Sequence, residues 1–220
     1  MGYFSYIPDF NYVDRNPNAK LGDQVKVKNL FRRIKLREDI FQDTTVFEKY
    51  QIRGDDRPDN VANQFYGRPD YDWIVLVSNN IVNIQTEWPM PQNTFDSFIL
   101  NKYGTYQNAN AVRHYETREV KNSQGVVIVP AGQIVDKGYS YTYYEEFQQA
   151  FVETGDITVE VTNYDYETRI EEAKRNISLL KRRYLPVILD DIEKEMKYKK
   201  GSSDYISGTL KSSDNIRLTT

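Results

Sequence analysis

The sequence predicts an α+β fold, and three observations carry that prediction. Val46 to Asn83 orders itself as a strand, a tight turn, a short helix, a Tyr-Gly break and a second short helix. Residues 111–162 fall into short alternating runs separated by turn residues. From Asn163 onward, apolar residues recur at three- and four-residue spacing. The expected architecture is a β-α-α-β central module, a β-rich insertion and a long C-terminal amphipathic helix.

Each element of the module has a local cause. Val46 to Ile52 alternates as a half-buried strand does, with Tyr50 and Ile52 on one face. Gly54-Asp55 is a turn signal, because glycine tolerates positive φ and aspartate bonds its own backbone. Asp56 is placed as the N-cap of the first helix, with Asp59 in the capping-box position and Pro58 in the first turn. Val61, Ala62 and Phe65 share one helical face, and Tyr66-Gly67 ends it. Pro69 and Asp70 open the second helix, whose apolar face is Trp73, Ile74, Leu76 and Val77, and Asn79-Asn80 closes it. The second strand of the module is either Ile81 to Ile84 or a segment supplied after the insertion.

On either side the pattern changes. Residues 1–20 are aromatic and broken by proline and asparagine, an arm with little to bury by itself. Val25 to Ile40 reads as a short amphipathic helix or a helix-strand junction, with Leu30, Phe31 and Ile34 near one face. After the Trp88-Pro89-Met90-Pro91 corner, Thr94 or Asn93 caps a helix carrying Phe95, Phe98, Ile99 and Tyr103, stopped by Gly104. Residues 105–110 read as a loop. His114 to Val120, Val126 to Val129, Ile134-Val135, Tyr139 to Tyr144 and Ile157 to Val161 read as strands. Asn163 then caps the long helix, with Ile170, Ala173, Ile177, Leu180 and Tyr184 as one buried stripe. Pro186 starts a second helix through Leu189, Ile192 and Met196, and the Ser/Gly/Thr-rich tail from Gly201 is expected to be flexible. The divisions that follow are an N-terminal arm and short helix (1–45), the module with its following helix (46–110), the insertion (111–162), the C-terminal helical segment (163–200) and the tail (201–220).

Composition narrows the function. With 29 basic and 32 acidic residues the formal charge is −3, so nucleic acid is not an indicated partner. Zero cysteines exclude a disulfide framework and a thiolate metal site. No apolar run is long enough to span a bilayer, and no signal peptide is read. The 18 tyrosines supply contact area with a polar handle, which suits interfaces as well as wet loops.

No constellation for chemistry emerges. His114 is the one histidine, and it lacks a second histidine or cysteine to share a metal. Asp55, Asp56, Asp59, Asp70 and Asp72 lack calcium-loop spacing and serve as turn and capping residues. Arg32, Arg33, Lys35 and Arg37 are followed at once by Glu38 and Asp39, and Lys181-Arg182-Arg183 falls at a helix end, where cations suit the dipole. Trp73 belongs to an apolar helix face, and Trp88 is the freer of the two tryptophans. The chain is therefore read as a non-enzyme, with no cofactor, no metal and no small-molecule substrate.

Two resemblances rest on these residues. The order from Val46 to Asn83 is that of LysM-type modules, whose glycan groove would correspond to Arg53 to Asp56 and Asn79 to Val82, although Asp-Asp-Arg here departs from the usual Gly-Asp-Thr. The strings QIRGDDRPDNVANQFYGRPDYDWIVLVSNNI, EWPM, RHYETREV, VVIVPAGQIVDKGYSYTY and VTNYDYETRIEEAKRNISLLKRRYLP resemble the baseplate wedge protein 53 family of contractile-tailed phages over roughly residues 1–200. That resemblance implies a structural subunit of the virion tail baseplate, assembled in the host cytoplasm. The implied partners are the wedge core dimer, the sheath-initiator (lysozyme-like) subunit and neighbouring wedges. A peptidoglycan-binding accessory protein is the alternative. The residues expected to form protein interfaces are Tyr3, Phe4, Tyr6 and Phe10 in the arm, Asp55, Asp56 and Arg57 in the turn, Trp88 in the corner, and Tyr205 and Ile206 in the tail.

Overall fold

A computed structural model describes residues 2–20, 22–201 and 204–212. The chain divides into two compact units, one drawn from residues 1–88 and 175–220 and the other from 89–174. In chain order the first unit contributes β1 (Asp9–Val13), β2 (Gln24–Lys28), α1 (Glu38–Gln42), β3 (Phe47–Gln51), α2 (Pro58–Tyr66), α3 (Asp72–Ser78) and the single turn α4 (Ile84–Glu87). The second holds α5 (Gln92–Tyr103), α6 (Tyr106–Ala109), β4 (Val112–Thr117), β5 (Val120–Lys121), β6 (Val127–Val129), β7 (Ile134–Val135), β8 (Thr142–Glu145), β9 (Ala150–Glu153), β10 (Thr158–Thr162) and α7 (Asn163–Ala173). The chain then returns to the first unit through β11 (Asn176–Leu180), α8 (Leu185–Met196), β12 (Tyr205–Ser207) and β13 (Leu210–Ser212).

The centre of the first unit is a β-α-α-β arrangement. β3 and β11 pair antiparallel, with Tyr50 opposite Ile177 and Glu48 opposite Leu179. Pro58 sits at the start of α2, where its missing N–H costs nothing, and Gly67 ends the helix at φ 76° with its N–H on the Asn63 carbonyl. The N-cap is Arg57 rather than Asp56 and makes no side-chain cap bond; with proline opening the helix, one of the four otherwise unpaired N–H groups of its first turn is absent. Val61, Ala62, Trp73, Ile74, Val75 and Val77 from the helices meet Ile177, Leu179 and Leu180 from β11 and Ile188, Ile192 and Met196 from α8 in one core. Burying each such large apolar side chain contributes about 1.5–3 kcal/mol. Polar bonds fix the register. Tyr66 Oη donates to the Leu180 carbonyl at 3.0 Å, and Asn79 closes a two-way bridge to Ser178, accepting from its N–H at 2.8 Å and donating to its carbonyl at 2.9 Å.

The long helix expected from Asn163 through Tyr184 is two elements. α7 ends at Ala173 and the chain becomes β11, so Ile177 and Leu180 are strand residues. The expected stripe is correspondingly absent on α7, where Ile170 is 42% exposed and Ala173 is exposed. The buried positions of α7 are Glu167 and Glu171. Ladder bonds to β3 outweigh a helical period that Ile177 and Leu180 satisfy only by coincidence. Thr162, not Asn163, caps α7, in a capping box with Asp165.

Residues 25–40 also differ from expectation. β2 takes Gln24–Lys28, and Ile34 and Leu36 are buried while Lys35 between them is exposed, an extended alternation. The arm and the tail meet each other: β1 pairs antiparallel with β2 and parallel with β13, and β13 pairs with β12. The segment expected to be flexible therefore supplies two strands as far as Ser212; its last residues, 213–220, lie outside the described residues.

In the second unit, β10, β4 and β7 form an antiparallel sheet, with separate ribbons β5–β6 and β8–β9. α5 is capped at Pro91 rather than at Asn93 or Thr94, and residues 106–109 close one helical turn where a loop was expected. The β9 strand was not foreseen. Phe95, Ile99 and Ala109 form a small core with Met90, Phe98, Tyr103 and Tyr164 around it.

The two buried carboxylates of α7 hold this unit together. Glu167 accepts from Lys102 Nζ at 2.6 Å and from Tyr103 Oη at 2.9 Å; Glu171 accepts from the Met90 N–H and from Lys174 Nζ. Burial works to raise the Glu167 carboxyl, but Lys102 and Tyr103 more than offset it, and the group sits below its ordinary 4.5. Glu116 is lowered as well, first by the Arg169 guanidinium and then by His114. A lowered folded-state value means stability that is complete above the unfolded value and lost as pH falls through the folded one. The second unit is therefore expected to lose stability progressively below about pH 4.5, and Glu167→Gln to flatten that slope. Urea midpoints between pH 7 and pH 3 measure this; equal acid sensitivity in the wild type and Glu167→Gln would contradict it.

Candidate protein-interaction site

All ten residues expected at interfaces fall in the first unit, and the structure sorts them into inward and outward groups. In the arm, Tyr3 and Tyr6 turn inward onto Trp73, with ring centroids at 6.1 and 5.4 Å. Burial raises the Tyr6 hydroxyl, and Tyr71 adds to it. Phe4 points the other way and is 60% exposed. Phe10 is half-buried on β1, edge-on to Tyr12.

Trp88, expected to be the freer tryptophan, is buried almost as fully as Trp73, at 6% exposed against 4%. Its indole N–H donates to the Asp56 carbonyl at 3.0 Å, satisfying a loop acceptor just ahead of α2 that no strand partner reaches. Arg175 donates to the neighbouring Gly54 carbonyl at 2.5 Å. Asp55 is exposed, Asp56 is half-buried and accepts from Gln64, and Arg57 is exposed with its guanidinium 3.3 Å from Asp59. Close by in sequence, Arg68 holds the Asp70 carboxyl down to about 2. Tyr205 is half-buried and Ile206 is 50% exposed on the strand at the edge of the four-stranded sheet.

The most exposed apolar residues of this unit were read differently from sequence. Phe31 is 95% and Leu30 70% exposed, although both were expected near one face of a short amphipathic helix or helix-strand junction. They sit on a turn with both flanks anchored. Asn29 donates to Tyr198 Oη at 2.9 Å, and Arg32 donates to the Met196 and Glu195 carbonyls at 3.0 and 3.2 Å. Beside the turn runs a groove of about 480 Å³, walled by Tyr3, Leu30, Trp73, Leu76 and Val82. The Ile34–Lys35–Leu36 alternation was the signal that an extended segment, with side chains on both faces, ran through here. Tyr3 and Leu30 thus share one groove, whereas the Gly54–Asp56 turn is tied to Arg175 and Trp88.

Among the described residues no cluster of histidine, aspartate and glutamate is arranged to hold a metal ion. His114 lies 2.9 Å from Glu116, which also takes both bonds of Arg169, so the histidine belongs to a hydrogen-bonded group between β4 and α7. No helix among the described residues is long and apolar enough to cross a membrane.

A family model described as base plate wedge protein 53 matches residues 3–195 of the chain. Comparison with curated proteins finds no match.

Proposed function

Because the chain belongs to the base plate wedge protein 53 family, a structural family of the phage tail baseplate, we propose that it joins the wedge core proteins and neighbouring wedges around the tail hub. The observation that carries this reading is the family match across 193 of 220 residues, counted from 3 to 195 inclusive. Anchored apolar residues that the chain itself leaves uncovered, Leu30, Phe31 and Phe4, agree with it. The implied partners are the wedge core dimer and the sheath-initiator subunit, the implied place of assembly is the host cytoplasm, and no catalysis is invoked.

The β3–α2–α3–β11 order also supports a LysM-like module whose second strand comes from beyond the insertion. A peptidoglycan-binding role is the alternative this invites. Weighing against it, the Arg53–Asp56 turn is occupied from within the chain by Trp88 and Arg175, and its side chains are charged where a glycan groove is neutral. Quantitative mass spectrometry of purified particles tests the structural role, with the chain expected among the tail proteins.

A further inference from the structure

The second unit carries an aromatic tip with no assigned role. β8 and β9 form an isolated two-stranded ribbon in which Tyr144 lies opposite Phe151, their rings 5.3 Å apart edge to face. Both are exposed, at 51% and 76%, and Phe147 in the connecting turn is 80% exposed. On the other face Tyr143 and Val152 are half-buried, and Glu145 is buried, accepting from the Ser123 N–H and hydroxyl at 3.2 and 3.0 Å. The ribbon is thus fixed on one side, exposes the Tyr144–Phe151 pair on the other, and exposes Phe147 in its connecting turn. Scattered exposed apolar residues need no explanation, but a contiguous aromatic group on a pinned element does.

Charge says what covers it. From Gly138 through Thr168 the sequence contains no lysine or arginine. Glu146, Glu153 and Glu160 are exposed, and none of them has a cationic partner among the described residues. An acidic rim is repelled by anionic lipid, which removes a membrane as occupant. In a second copy Lys26 and Lys28 already pair with Asp9, Arg32 with the end of α8 and Arg37 with Asp39 and Asp191, and at its Lys181-Arg182-Arg183 cluster the neighbouring Phe65 ring is half-buried against Tyr50, Tyr66 and Arg182 rather than open to a third ring.

Resting on the baseplate reading, we infer that the β8–β9 tip docks into an apolar pocket rimmed by lysine and arginine on a different protein of the tail. The aromatic rings would supply the buried centre of that contact and the carboxylates its rim, the division that interfaces ordinarily show.

The test uses phage carrying a photo-crosslinking benzoylphenylalanine in place of Phe147, irradiated as purified particles and digested for mass spectrometry. The expected product joins position 147 to peptides of one other tail protein, with net positive charge around the linkage. In parallel, a Glu146→Lys/Glu153→Lys chain competed against wild type should enter particles about tenfold less. Its thermal unfolding should match wild type, because both carboxylates are exposed. Linkage only to a second copy or to the same chain, no linkage, or equal incorporation of the charge-reversed chain would overturn the inference while leaving the baseplate role standing. Absence of the chain from particles would overturn both.

Discussion

Trp73→Ala is expected to lower the stability of the first unit by about 3–5 kcal/mol, the range for truncating a buried aromatic side chain. Trp73 is 4% exposed on α3, its ring meets Tyr3 and Tyr6 from the arm, and its neighbours Ile74, Val75 and Val77 are all in the core. The indole therefore helps fasten the arm to the β-α-α-β centre, together with Ile7, which is 2% exposed in the same core. Removing it opens a cavity and takes from both tyrosines their ring contact with α3. Since typical domains are stable by only 5–15 kcal/mol, the loss is a large fraction of the total. The measurement is convenient, because the chain's two tryptophans both lie in this unit. Urea unfolding followed by the remaining Trp88 fluorescence reports on it alone. A loss under about 1 kcal/mol would mean that the arm is not held through Trp73.

The second large effect separates a strand from a helix. Leu179→Ala is expected to cost about 2–5 kcal/mol, and Ile170→Ala to stay within about 0.5 kcal/mol. Leu179 is fully buried where β11 crosses the core, whereas Ile170 is 42% exposed on α7. A continuous helix from 163 to 184 would instead put Ile170, Ile177 and Leu180 in one buried row, so that Ile170→Ala would hurt while Leu179, off that row, would tolerate change. Guanidinium or urea midpoints of the two variants decide between these pictures, and a larger loss at Ile170 than at Leu179 would contradict the fold described here.

The sequence was most legible where structure is local. Gly67 at positive φ and Pro58 and Pro186 in first helical turns are each settled by a few neighbouring residues, and each is found. It was least legible where pairing is distant. β11 finds β3 across the whole second unit, and β13 finds β1 across nearly the whole chain, so no window of neighbouring residues contains the deciding bonds. The helical spacing of Ile177 and Leu180 then pointed the wrong way. Of the candidate interface residues, composition identified the aromatic ones, but it could not tell which rings turn inward. Trp88 is buried and Tyr3 and Tyr6 pack partly against the core, while Phe31 and the Phe147–Phe151 tip stand outside.

The central claim concerns where the chain resides, and one measurement addresses it most directly. Peptides of this chain and of the other wedge subunits are quantified together in purified phage particles, in soluble lysate and in the cell-wall fraction. A tail subunit is expected in particles at a constant ratio to the wedge proteins across independent preparations. Recovery only from lysate or wall fragments, with particles empty of it, would contradict the structural role and move the LysM-like groove to the front.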